Sequence, residues 1–208
     1  MPIFILLLLF AVSCATESAI PMSQSNNQHN SQMADDVVQA CDLKPIRIPK
    51  QPKQIPGFGQ LDESTGLHVT GKAPEIDFST YHLLVTGLVE RSLILNYDEL
   101  RCLPKVTADP LLVCRGYFED KATWSGVLID DVLKLASPLP QAKHVTFISA
   151  DGYKMKITLN TATDRESFLA YELEGNPLPI LHGFPLRAVI PKREGNYWVK
   201  WLVEINVS

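Results

Sequence analysis

The chain has 208 residues, of which 46% are hydrophobic and 20% charged, and its 19 Lys and Arg against 23 Asp and Glu leave a formal charge of −4. That length fits one domain with a tail, and that apolar content builds a core without help from cross-links or a structural metal. The acidic balance lacks the basic footprint of a nucleic-acid binder, and the cysteines at 14, 41, 102 and 114 form no CxxC pair, which argues against zinc ribbons and thioredoxin-like redox motifs.

Met1 to Val12 (MPIFILLLLFAV) is one apolar run. It is shorter than the roughly 20 residues of a spanning helix and suits the core of an export signal. Ala11-Val12-Ser13-Cys14 is close to the box that precedes the lipid-modified cysteine of bacterial lipoproteins. Residues 1–14 are therefore expected to direct export to the periplasm or cell surface, with either a lipid anchor at Cys14 or ordinary cleavage beside it. Residues 15–62 read as a flexible tether: SQSNNQHNSQ at 23–32 is polar and aperiodic, and the prolines of 44–59 favour extended, semi-rigid chain. Cys41 lies in this stretch and reads as a tolerated thiol or one that pairs elsewhere.

Residues 63–208 carry the folding signals. Tyr81 to Val89 and Ser92 to Leu95 predict strands joined at Glu90-Arg91. Asn96 followed by Glu99 predicts a capping box that opens a helix to Leu103, where Pro104 stops it. A strand is expected over Val106 to Cys114, interrupted at Asp109-Pro110, and a helix over 129–136 from the spacing of Leu128, Val132, Leu135 and Ala136. His144 to Ala150, the turn Asp151-Gly152 and the alternation of Tyr153, Met155, Ile157 and Leu159 predict a strand pair. Leu169 to Leu173 and Pro177 to Ile180 flank the hairpin turn Glu174-Gly175-Asn176, and Ala188 to Ile190 with Val199 to Val207 complete the strands. Short strands with few short helices give an α+β class, a sheet-rich mixed β domain.

Cys114 ends an apolar strand and precedes Arg115; a thiol beside a cation is held as the thiolate that attacks electrophiles or binds soft metals. His182 and Arg187 stand at the ends of HGFPLR, where Gly and Pro set a tight path, and the planar fork of Arg suits a phosphate. Trp198-Val199-Lys200 brings another cation to the start of the last predicted strand.

CRGYFEDKATWSGVLIDDVLKLA at 114–136 resembles the metal-ligand segment of the sulfite-oxidase superfamily, and LAYELEGNPLPILHGFPLRAVIP at 169–191, with VKWL at 199–202, is similar to its cofactor-phosphate region. The resemblance implies the superfamily's molybdopterin-binding fold and a molybdenum–molybdopterin cofactor. It also implies oxygen-atom transfer of the kind performed by sulfite oxidases, plant nitrate reductases and the bacterial periplasmic methionine sulfoxide reductase. Carried over residue by residue, Cys114 is the expected thiolate ligand to molybdenum. His182 and Arg187 are expected at the cofactor, the Arg on its phosphate. Trp198, Val199 and Lys200 are expected to close over it, and Ser149 and Asp151 to contact the pterin. Leu67-His68 is similar to the Asn-His that opens the family's pocket, which adds His68, and Tyr153 is expected near the metal.

Sulfite-oxidising members surround the metal with arginines, and Gly66 and Glu119 stand at the matching places here. A neutral S-oxide or N-oxide is therefore the expected small-molecule substrate. The sequence has no haem-attachment motif, so electrons are expected to pass through a separate, membrane-bound partner. Two other readings accompany this one: a degenerate, non-catalytic binding or assembly module of a membrane electron-transfer system, and a cofactor-free thiol enzyme using Cys114 with His182.

Overall fold

The computed structural model describes residues 41–208; the expected export signal, Cys14 and the first part of the expected tether lie outside the described residues. Two five-stranded sheets share one apolar core. The first contains β3 (His82–Gly87), β4 (Leu93–Asn96), β9 (His144–Ser149), β10 (Lys154–Thr158) and β14 (Leu202–Val207) in the order β10-β9-β14-β3-β4. Its neighbours are antiparallel except β14 and β3, which run parallel. The second contains β5 (Lys105–Ala108), β8 (Trp124–Leu128), β11 (Phe168–Leu173) and β12 (Asn176–Pro177) in the order β12-β11-β8-β5, with β13 (Arg187–Val189) also paired to β11. Two small hairpins stand apart, β1 (Leu61–Asp62) with β2 (Leu67–His68), and β6 (Leu111–Cys114) with β7 (Phe118–Lys121).

Local chemistry explains most elements. In β3, Leu83 and Val85 are buried while His82 and Leu84 are exposed, the period-two pattern of a strand with one face on the core. Helix α1 (Tyr97–Cys102) opens with the predicted capping box: the Asn96 side chain accepts from the backbone of Asp98 and Glu99, and Glu99 reaches back to the Asn96 N–H. Helix α2 (Ile129–Ala136) buries Ile129, Val132, Leu133 and Ala136. This i, i+3, i+4, i+7 stripe keeps Val132 and Ala136 of the predicted one and has Ile129 and Leu133 in place of Leu128 and Leu135. A short α3 (Leu159–Ala162) follows β10. The Tyr81 hydroxyl donates to the Leu202 carbonyl at 2.7 Å, and that of Tyr97 donates to the Tyr171 carbonyl at 3.1 Å, tying helix α1 to β11.

Several expected strands differ. Val106 to Cys114 divides into β5 and β6, which join different sheets, because Pro110 has no N–H to continue a ladder. Of the expected Pro177 to Ile180 strand only Pro177 belongs to β12, which takes Asn176 from the expected turn; Pro177 and Pro179 remove donors, and Ile180–His182 forms a 3₁₀ turn instead. The last strand begins at Leu202 rather than Val199, because Trp201 has φ 52° and breaks the extended run just after Lys200. Strands β7 and β8 had no sequence-based expectation.

Residues 41–60 contain no regular element, yet they are tied to the domain. Cys41 is disulfide-bonded to Cys102 with a Cα separation of 5.5 Å, and the Arg101 guanidinium donates to the Lys44 carbonyl at 2.8 Å. Ile46 packs on the core. Residues 41–60, expected in the tether, are thus fastened to the domain by a disulfide, a hydrogen bond and an apolar contact.

Candidate functional site

The small hairpins, β8, and the stretches 182–187 and 195–200 line one narrow cleft, whose walls include His68, Cys114, Asp120, His182, Arg187 and Lys200. The β6–β7 register pairs Cys114 with Phe118 and Leu112 with Asp120. Because strand side chains alternate, thiol, phenyl ring and carboxylate occupy the same face of the hairpin. Cys114 is the free cysteine among the described residues. Burial pushes its pKa up, Arg187 opposes that shift and Asp120 adds to it. The expected helper, Arg115, points away: it is exposed and paired with Glu194 at 3.1 Å. The cation acting on the thiol is Arg187, and a metal binding there must displace a proton. Gly195 lies against the sulfur, since a Cβ built on it would come 2.5 Å from Cys114 Sγ. Gly195→Ala is expected to leave the fold intact but push the sulfur aside, which a changed rate of Cys114 alkylation, followed by mass spectrometry, checks.

Arg187 is held flat by aromatic rings. Its guanidinium lies 4.9 Å from the Trp124 ring centre and 5.7 Å from that of Trp198, while Nη1 donates to the His182 carbonyl at 3.2 Å. Its Nε is buried without any hydrogen-bond partner. Trp198 thus acts by holding Arg187, and its indole N–H donates to the Ile190 carbonyl at 2.9 Å. The chain reaches Arg187 through Gly183, whose φ of 116° and close approach to Arg187 and Lys200 exclude a side chain there.

Lys200 donates to the carbonyls of Leu181, at 2.9 Å, and Thr70. Burial and Arg187 lower the Lys200 pKa to about 7, and burial lowers that of Arg187 to about 10. Neither cation forms an ion pair among the described residues. The unfolded chain holds the Lys200 proton up to the ordinary value of 10.5, whereas the folded protein releases it near 7. Between those values the unfolded state binds more protons, so this lysine makes stability rise with pH. Denaturant midpoints of cofactor-free protein from pH 6.5 to 9 are expected to climb more steeply in wild type than in Lys200→Met.

His182 is buried, and its Nε2 meets Asp62 Oδ2 at 3.1 Å and Thr65 Oγ1 at 2.9 Å, so the ring fastens the β1–β2 turn. Burial, then Arg187, lower its pKa to about 4, leaving a neutral imidazole whose Nε2–H donates to the carboxylate. No hydrogen bond joins it to Cys114 among the described residues, which removes the geometric basis for a Cys–His thiol enzyme.

Of the expected site residues, Cys114, His68, His182, Arg187 and Lys200 converge on the cleft. Ser149, Asp151, Tyr153, Trp198 and Val199 do not line it. Ser149 is buried at the end of β9, and Asp151 accepts from the Tyr153 N–H at 2.9 Å. The Tyr153 hydroxyl donates to the Asn196 carbonyl at 3.0 Å, bracing the turn that carries Gly195. The Val199 carbonyl accepts from the Ala188 N–H at 2.8 Å. Glu119 is exposed; the acid facing the cleft is its neighbour Asp120. Asp62, Thr65, Thr70, Asp120 and Gly195 escaped the sequence reading. Only Phe118 and Asp120, two residues apart and four and six positions after the cysteine, left a periodic trace.

A narrow cleft with a soft sulfur donor and two basic side chains, Arg187 buried and Lys200 half-buried, that form no ion pair among the described residues suits an anionic cofactor. The family described as "Oxidoreductase molybdopterin binding domain" matches residues 70–208, and the chain belongs to that family. It is 36% identical over 174 residues to a sulfite oxidase of Arabidopsis thaliana, covering 66% of this chain and 44% of that protein. It is 34% identical over 156 residues to an NADPH nitrate reductase of Aspergillus niger, covering 62% of this chain and 18% of that protein. The chain therefore spans less than half the length of these relatives. Among solved structures, the sulfane dehydrogenase SoxCD from Paracoccus pantotrophus superposes with a TM-score of 0.63 at 20% identity, over 91% of this chain and 56% of that one, a likeness of fold.

Proposed function

We propose that this chain is the cofactor-holding module of an extracytoplasmic molybdopterin oxidoreductase that moves an oxygen atom on or off a small neutral S-oxide or N-oxide. The observation that carries the reading is that the buried Arg187 and the half-buried Lys200, neither in an ion pair among the described residues, share a cleft with the free thiol of Cys114. A phosphate monoester brings about −1.5 to −2 charge at neutral pH and would neutralise both, and the unpartnered Arg187 Nε offers it a charge-assisted donor. Cys114 is the soft donor that molybdenum prefers. His68 contributes to the cofactor wall directly, and His182 through the β1–β2 turn that it fastens. Trp198 steadies Arg187, while Tyr153 braces the loop behind the sulfur. Ser149 and Asp151 act from outside the cleft lining, Asp151 by favouring the charged form of Lys200.

When bound, the cofactor supplies a molybdenum centre at which an oxygen atom is exchanged while electrons pass in or out. The protein would orient it and exclude water: Trp124 lines the cleft beside Arg187, Trp198 backs Arg187 from behind the lining, and Phe118 and Leu112 flank the sulfur. Among the described residues Arg187 is the one arginine that lines the cleft, and it is committed here to the cofactor phosphate. Gly66 is a turn residue with φ 71°, Glu119 faces solvent, and the cleft carries the carboxylate of Asp120. An anionic substrate meets repulsion there that a neutral oxide does not.

The Cys41–Cys102 disulfide supports an oxidising compartment, in line with the apolar run at 1–12. The test is elemental and pterin analysis of the full chain from a host that makes the cofactor. About one molybdenum and one pterin per chain are expected; protein free of both removes the proposal.

A further inference from the structure

Asp120 is almost fully buried, on the same hairpin face as Cys114, and no Lys or Arg pairs with it among the described residues. Both of its oxygens are directed at one residue. Oδ2 accepts the backbone N–H of His68 at 2.8 Å, and Oδ1 meets His68 Nδ1 at 2.7 Å. A carboxylate accepts and does not donate, so the proton of the His68 ring is on Nδ1. The ring also lies flat on Phe118, at 4.4 Å between centres and 10° between planes, and Phe118 is the residue paired across the hairpin with Cys114. Orientation, tautomer and place along the cleft are thereby all set, while Nε2 has no partner among the described residues. A histidine free to choose would present either a donor or an acceptor to whatever binds; this one presents an acceptor.

We infer that Asp120 is a positioning residue, which locks His68 as the Nδ1-protonated imidazole so that the bare Nε2 accepts a hydrogen bond from an N–H of the bound cofactor's ring system at the sulfur end of the cleft. The inference deepens the proposed function and rests on it for the identity of the ligand, though not for the tautomer. Carboxylate–imidazole pairs of this kind fix ring orientation and tautomer. Among the described residues no donor is hydrogen-bonded to that nitrogen; Arg187 Nη1 and Lys200 Nζ donate to the carbonyls of His182, Leu181 and Thr70.

The experiment has two parts, both on the full chain. First, ¹⁵N NMR of the imidazole in cofactor-free protein, assigned by loss of the signals in His68→Gln, is expected to show a protonated Nδ1 and a bare Nε2 for His68. A protonated Nε2, or an even mixture of tautomers, overturns the inference even if the protein proves to bind the cofactor. Conversely, this measurement still judges Asp120 if the protein proves to hold no pterin.

Second, pterin retained after gel filtration is compared across four proteins. Asp120→Ala in wild type is expected to weaken retention about 10- to 100-fold. In His68→Gln, whose amide carries its own acceptor to the place of Nε2 without needing a carboxylate, the same change is expected to have little further effect. A purely structural Asp120 gives a different outcome. The backbone N–H of residue 68 loses its partner in both backgrounds, so an equal loss of retention in both overturns the positioning role, as does unaltered retention in Asp120→Ala alone.

Discussion

Cys114→Ser protein is expected to fold as the wild type does and to bind molybdenum at least about 100-fold more weakly. The fold tolerates the change because the side chain is only partly buried and the volumes are similar, so the stability difference stays within about 1 kcal/mol. The metal does not tolerate it. A serine hydroxyl is a hard donor with a far higher pKa than a thiol, and the low-dielectric surroundings that already raise the thiol pKa penalise an alkoxide still more. Loss of a residue that merely supports a metal ligand costs 10- to 100-fold in affinity, and loss of the ligand itself lies beyond that range. Elemental analysis and a denaturant titration, run on the same preparation, separate the two effects. Equal molybdenum in the variant and wild type would remove Cys114 from the metal.

Arg187→Met is expected to shift two measurements in opposite directions. In cofactor-free protein it replaces a buried cation that has one carbonyl partner and an unpartnered Nε with an apolar chain of comparable length. Burying an unpaired charge is costly, so the variant gains about 1–3 kcal/mol of stability. With cofactor present the order reverses. A charge-assisted hydrogen bond contributes about 1.5–3 kcal/mol, so pterin retention falls about 10- to 150-fold. Thermal unfolding of the cofactor-free proteins and fluorescence of the extracted pterin give the two readouts. Met is the informative substitution because it still fills the space between Trp124 and Trp198, where Ala would add a cavity of its own. Unchanged pterin content would show that the phosphate lies elsewhere; a less stable cofactor-free variant would show that Arg187 is neutralised within the protein.

The helix stops and strand alternation of this chain are local effects, and they could be read from neighbours in sequence. Asn96 and Glu99 cap α1 through hydrogen bonds spanning three residues, and the stripe of α2 follows from a 3.6-residue repeat. The strand errors share one cause. Pro110, Pro179 and the left-handed Trp201 each end a ladder that apolar composition alone would extend. At the site, motif spacing located Cys114, Arg187 and Lys200, whose roles depend on residue type.

It did not locate their partners. His182 was legible as a site residue, yet its ring is committed to Asp62 and Thr65, more than a hundred positions away in the chain. Arg115 is next to the cysteine in sequence but ion-paired at the surface, while the cation that acts on the thiol comes from β13. Glu119 and Asp120 are adjacent, and the pleat sends one to solvent and the other into the cleft. Covalent order and local periodicity were enough to define a sheet-rich domain carrying a thiol and a basic loop. Which charges neutralise one another, and which nitrogen of His68 is left bare, depend on the packing of two hairpins against the ends of two sheets. Electrostatic energy follows distance through space and burial, and neither is written in the spacing of residues along the chain.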